Sequence, residues 1–313
     1  MEKRLVFFIF ILTVLLIIPI VSAGFFDFNF FDFITGRATT QTTTVNITIA
    51  NTAPIVINVT TIAAQSITEA GITNVSFDYV AADPDGAGTL TAVQGHLNRT
   101  GETDRYNATC QNLFDINSTA RVFRCTVPLY WFDGPGTWSA SANVTDSSGA
   151  NGSNGTISFT LSSTIAFVMA PSALTWPSVS IGSANITASN DPILMNNTGN
   201  ANVLASNISI NSINLMGESN ATTFINVSNF TVDQVAGGSP LLECDFNATS
   251  GIDLRNNTYM NVSGSSMARG NFSINNGATG QEQLYFCLTR VMTGLTQQSY
   301  STFRGGSWTL QIA

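Results

Sequence analysis

From Thr137 to Gly149 the chain reads TWSASANVTDSSG. At a period of two, Trp138, Ala140, Ala142 and Val144 share one face, and Ser139, Ser141, Asn143 and Thr145 share the other. That alternation predicts a half-buried β-strand. Asp146 to Gly149 then supplies turn chemistry: a short carboxylate that bonds its own backbone and a glycine free to take a positive φ. The same texture recurs from Val45 to about Ser163 in VNITIA, PIVINVTTI, NVSFDYVAA, LTAVQGHL, YNATCQNLF, VFRCTVPLYWF, TWSASANVT and GTISFTLS. Gly, Pro, Asp and Ser clusters punctuate these runs. Beyond Thr164 the strands are less regular: LTWPSVSIG, PILMNNTG, ASNISINSINL, TFINVSNFTV, LLECDF, TYMNVSG, RGNFSINN, EQLYFCLTRV and SWTLQIA. No stretch of useful length has a helical period.

The expectation is an all-β protein of two β-sandwich domains. Residues 45–163 carry short alternating strands at the spacing of an immunoglobulin-like sandwich. Residues 164–313 read as a second sandwich, immunoglobulin-like or jelly-roll. The connection from Ser162 to Pro171 holds few flexible residues, so it predicts a fixed angle between the two.

Ahead of the strands, Lys3-Arg4 precedes an apolar run from Leu5 to Ile18, then Pro19 and Val21-Ser22-Ala23. This is the pattern of a secretory signal peptide over residues 1–23. The apolar run is short against the roughly 20 residues that span a bilayer, and no second run follows, so the mature chain is expected to carry no membrane span. Gly24 to Arg37 repeats FFDFN and FFDFI. That much aromatic surface calls for cover by another subunit, a membrane interface or the chain's own fold. Together with the Thr-rich stretch that follows, residues 24–44 read as a Phe-rich segment and linker.

At Asp83-Pro-Asp-Gly86 and Asp146-Ser-Ser-Gly149 the first sandwich resembles the PKD-like and cadherin-like modules of cell-surface proteins. In those modules a DPDG turn follows the second strand and a D-x-x-G turn follows the strand before the last. In the second half, the Asn196-Asn-Thr-Gly-Asn200 turn before an Asn-rich alternating strand is similar to repeats of archaeal secreted surface glycoproteins. The resemblance implies a surface-layer or filament subunit. It implies no activity.

Charged residues are only 10% of the 313, with a formal charge of -8. An acidic chain has no electrostatic reason to bind nucleic acid. Lys3 is the only lysine, so a mature chain that starts after Ala23 has neither Schiff-base chemistry nor lysine cross-links.

Export and four cysteines point to disulfides. Cys110 and Cys125 lie in the first half, Cys244 and Cys287 in the second, which favours local pairing among the three connectivities. A zinc site finds no support, because His96 is the only histidine and no C-x-x-C occurs.

The strongest signal is a run of N-glycosylation acceptor triplets. They begin at Asn46, Asn58, Asn74, Asn98, Asn107, Asn117, Asn143, Asn151, Asn154, Asn185, Asn196, Asn207, Asn220, Asn226, Asn229, Asn247, Asn256, Asn261 and Asn271. Random order of this composition would give about seven, and strand alternation would raise that to about fourteen. The count of 19 exceeds both. Asparagine is also a poor strand former, so its placement mid-strand calls for a reason. A sugar on each outward asparagine would hydrate a surface that charge does not. The other reading is a surface merely rich in Asn and Thr.

Asp83, Asp85 and Asp146 fall in loops that a sandwich brings to one end. Hard carboxylates there suit Ca²⁺, while Asp-Pro and Asp-Gly are also plain turn formers. A Ser-His-Asp arrangement has only His96 to draw on, with no nucleophile signature near it. Carboxylate pairs of a glycosidase are not readable from spacing.

The expected function is therefore non-enzymatic: a secreted structural glycoprotein of the cell surface, partnered by copies of itself or other surface proteins. The alternatives are an adhesin or carbohydrate-binding module using Trp131, Trp138, Trp176 or Trp308 as a platform, and a secreted hydrolase. Thr43 to Ala50, TTVNITIA, reads as a strand that either pairs within its own domain or adds to the edge of a neighbour.

Overall fold

The structure is a computed structural model that describes residues 42–234, 251–270 and 280–312. The expected signal segment, the Phe-rich repeat, Cys244, Asn247 and Asn271 lie outside the described residues. The chain divides into two compact units, Met1–Ala50 and Asn51–Ala313. In the first, residues 42–50 form no strand and are exposed. This corrects the expectation of a strand at VNITIA.

The second unit is built of antiparallel strands, and no α-helix occurs among its described residues. Its first eight strands are β1 (Ile55–Val59), β2 (Ile72–Ala82), β3 (Leu90–Asn98), β4 (Arg105–Asn107), β5 (Gln111–Asp115), β6 (Ala120–Tyr130), β7 (Gly136–Asp146) and β8 (Asn151–Leu161). They form two sheets, ordered β1-β2-β6-β5 and β4-β3-β7-β8. That is the strand order of an immunoglobulin sandwich with one additional edge strand, β4.

Period-two burial makes these strands. Trp138, Ala140, Ala142 and Val144 of β7 are all buried to 1% exposure or less, opposite Val75, Phe77 and Tyr79 of β2 in the same core. Removing each large side chain from water contributes about 1.5–3 kcal/mol. The two acidic turns fall where the family resemblance implies, Asp83–Gly86 after β2 and Asp146–Gly149 after β7. Gly149 has φ 86°, the left-handed conformation that a D-x-x-G turn reserves for glycine.

Twelve further strands follow: β9 (Phe167–Ala170), β10 (Ala184–Thr187), β11 (Ile193–Asn197), β12 (Ile208–Ser212), β13 (Leu215–Gly217), β14 (Phe224–Ile225), β15 (Phe230–Asp233), β16 (Ile252–Asp253), β17 (Thr258–Asn261), β18 (Gln281–Arg290), β19 (Tyr300–Ser301) and β20 (Thr309–Ile312). One sheet runs β16-β15-β18-β11-β9 with β10 also paired to β18, a second runs β17-β12-β20, and a small third runs β14-β13-β19. Ile193, Met195, Ile208, Ile210, Phe230, Leu284 and Phe286 fill a second core between them. The expected strand LTWPSVSIG is irregular instead. Leu174 and Trp176 of that stretch pack against the second core, and Trp176 meets Trp308 and Phe230 edge to face.

A polar joint ties the two sandwiches. The Asn200 amide donates to the Ser162 carbonyl and its oxygen accepts from Thr164 N. The Thr198 hydroxyl donates to Glu69 at 2.6 Å, and Ala70 N donates to the Thr198 carbonyl.

Candidate functional site

The acceptor triplets map onto the surface. Of the seventeen that the structure describes, twelve asparagines are exposed, five are half-buried and none is buried. Asparagines outside the triplets are not so restricted, since Asn197 and Asn200 are fully buried. Strand geometry places the acceptors: in β2, Asn74, Ser76 and Asp78 point outward while Val75, Phe77 and Tyr79 point inward.

Local hydrogen bonds shape several of them. Asn117 Oδ1 accepts from both the N–H and the hydroxyl of Thr119, at 2.9 and 3.0 Å. Asn220 accepts from Thr222 in the same way, at 3.0 and 2.7 Å. These are Asx turns, which occupy the amide oxygen and leave the amide nitrogen, the atom a sugar attaches to, outside those bonds. Two acceptors are committed elsewhere. Asn107 Nδ2 donates to the Thr126 carbonyl at 2.9 Å, and Asn154 Nδ2 donates to the Val56 carbonyl at 3.1 Å. Asn229 Nδ2 is buried.

The first disulfide is formed, Cys110 to Cys125. Cys110 N donates to the Val93 carbonyl of β3, while Cys125 lies in β6 of the other sheet, so the bond links the two layers. Cys287 is disulfide-bonded as well.

Asp83, Asp85 and Asp146 do gather at one end of the first sandwich, but as turn caps. Asp83 accepts from Asp85 N and the Thr89 hydroxyl. Asp146 Oδ1 accepts from Ser148 N and Ala150 N, and its Oδ2 from the Asn51 amide at 2.8 Å. Asp85 accepts from Thr52 N at 2.7 Å. Among the described residues no group of three His, Cys, Asp or Glu could hold a metal. In this structure the three carboxylates hold the turns and the incoming chain.

His96 Nδ1 lies 3.1 Å from Asp104, and its ring stacks on Tyr106. The tryptophans offer no exposed platform: Trp131 and Trp138 are buried in the first core, and Trp176 and Trp308 are half-buried against the second.

Sequence reasoning missed the joint. Arg269 reaches Glu102 with Nη1 to Oε2 at 2.9 Å and Nη2 to Oε1 at 2.8 Å, and Nη1 also donates to the Phe132 carbonyl. It missed Arg105 as well, which binds Asp133 and lies 4.6 Å above the Tyr130 ring. These partners are far apart in sequence, so no motif announces them.

No protein-family model matches the chain, and no curated protein does. Among solved structures it is similar to BcpA, the major pilin subunit of Bacillus cereus, at 10% identity and a TM-score of 0.22, over 56% of this chain and 63% of the pilin. It is also similar to a DUF4466 family protein from Parabacteroides merdae, at 12% identity and a TM-score of 0.21, over 76% of this chain and 99% of that one. The chain thus spans less than two thirds of the pilin's length. Among the described residues no helix is long and apolar enough to cross a membrane.

Proposed function

We propose that this protein is a non-enzymatic structural glycoprotein of the cell exterior, exported by its first 23 residues and assembled with other copies into a surface layer or extracellular filament. The observation that carries the reading is the placement of the acceptor asparagines. Those inside triplets avoid the interior, whereas two outside them are fully buried. A β-sandwich surface so sparse in charge needs further hydration, and outward sugars supply it. The layer-spanning disulfide suits an oxidising exterior.

Intact-mass measurement and glycopeptide mapping of the purified protein test this. The expected result is a mature chain starting at Gly24 or beyond, heavier than its polypeptide, with sugar on exposed sites such as Asn74, Asn117 and Asn220 and none on Asn107, Asn154 or Asn229. A mass equal to the bare chain would overturn the glycoprotein reading.

A further inference from the structure

Val45 to Ala50 has the chemistry of a strand and no strand partner. Val45, Ile47 and Ile49 alternate with Asn46, Thr48 and Ala50, and the three apolar side chains are 76%, 80% and 88% exposed. Three β-branched residues on one face of an extended segment favour pairing into a sheet. The chain just after this segment is fixed: Asn51 is held by Asp146 and Thr52 by Asp85. Six extended residues reach about 20 Å from that anchor.

The second sandwich has a flank that such a strand would complete. Only residues 254–257 join β16 to β17, so those two edges lie on one side. Among the described residues, the sheet orders then leave β9 and β20 as the edges of the opposite side. Side chains directly opposite each other in an antiparallel pair share a face. Met169 of β9 pairs with Met195, so both face the core, yet Met195 is fully buried while Met169 is 37% exposed. Leu310 and Ile312 of β20 face inward opposite Ile210 and Ile208, and they too are only half-buried. Among the described residues, the layer has no strand beside β9.

We propose that Val45–Ala50 of one copy adds to the β9 edge of a second copy, with Val45, Ile47 and Ile49 extending the apolar layer beside Phe167 and Met169. Asn46 and Thr48 then face solvent, where the Asn46 acceptor is free to carry its sugar. The contact joins different surfaces of the two copies, so it repeats into an open chain of subunits. This deepens the subunit reading and rests on it.

The test uses the full-length mature protein carrying Ile47→Asp and Ile49→Asp, with Ile47→Val and Ile49→Val as the conservative control. Wild type and control assemble, while the Asp variant keeps the wild-type unfolding midpoint and loses sedimentable polymer by about tenfold or more, because a charge is not tolerated against an apolar layer. Polymer formed equally by the Asp variant would overturn strand donation and leave the subunit reading standing. If wild type never assembles but a synthetic TTVNITIA peptide still binds it saturably, the subunit reading fails and strand acceptance stands. No peptide binding and no effect of the Asp substitutions would sink the proposal outright. For the edge itself, Ile47→Cys in one tagged chain and Met169→Cys in another should form an intermolecular disulfide. Cross-linking confined to single chains that carry both substitutions would contradict it.

Discussion

Arg269 of the second sandwich grips Glu102 of the first with two parallel N–H···O bonds, at 2.9 and 2.8 Å, and Arg99 adds a third at 3.0 Å. The Glu102 side chain is only 8% exposed, so its charge depends on these partners. Bidentate guanidinium–carboxylate pairs fix orientation as well as distance. Together with Thr198 on Glu69, they tie the two sandwiches through charged and polar contacts.

Arg269→Ala is therefore expected to lower stability by about 1–3 kcal/mol and to broaden the unfolding transition as the sandwiches uncouple. Urea unfolding followed by tryptophan fluorescence reads both. An unchanged midpoint and slope would show that the joint contributes nothing.

Gly95 of β3 lies directly under the disulfide. A Cβ there would sit 2.6 Å from Cys125 Cβ and 2.8 Å from its sulfur, with Phe77 at 3.0 Å. Gly95→Ala should cost about 1–3 kcal/mol through overpacking, although alanine is otherwise the better residue in a strand. Thermal unfolding at or above the wild-type midpoint would contradict the packing described.

Replacing Cys110 and Cys125 together by Ala should cost about 3 kcal/mol for a closed loop of this length, since the two are 15 residues apart. The loss should appear in denaturant unfolding under non-reducing conditions. A double variant as stable as wild type would show that the bond holds nothing the strands do not hold already.

Two carboxylates set opposite pH dependences. The Asn51 amide beside Asp146 holds its carboxyl below the ordinary 3.8, with the N–H groups of Ala150, Ser148 and Gly149 acting in the same direction and burial opposing them. That stabilisation is present above the unfolded value and disappears as pH falls through the lower folded one, so Asp146→Asn should flatten the loss of stability on acidification below about pH 4. Burial pushes Glu282 above its ordinary 4.5, partly offset by the N–H groups of Ser266 and Gln283. Its contribution is full below 4.5 and is lost as pH rises through the raised folded value, so Glu282→Gln should remove a decline on that side. Stability curves in which both variants shift the same limb would refute this assignment.

Much of the fold was legible because burial writes itself into alternation. Trp138, Ala140, Ala142 and Val144 proclaim an inner face, and the structure buries all four. Alternation reports a face that needs covering, however, and not whether a partner is at hand, which is why VNITIA looked like a strand and stands unpaired. LTWPSVSIG failed differently: its apolar residues pack as plugs, Leu174 and Trp176 against the second core, without a ladder. The acceptor asparagines were readable because a triplet is local. Their suitability was not, since Asn107 and Asn154 lose their amide nitrogens to carbonyls that the register brings across. The acidic turns were placed correctly, but their role depended on Asn51, 95 residues before Asp146 in sequence.

Electron microscopy of the surface of producing cells, labelled with an antibody to the second sandwich, tests most directly whether this chain builds the cell's exterior. The expected image is label repeating at a constant interval along a filament or across a lattice. Label confined to dispersed single molecules in the medium, with a bare surface beneath, would contradict the claim.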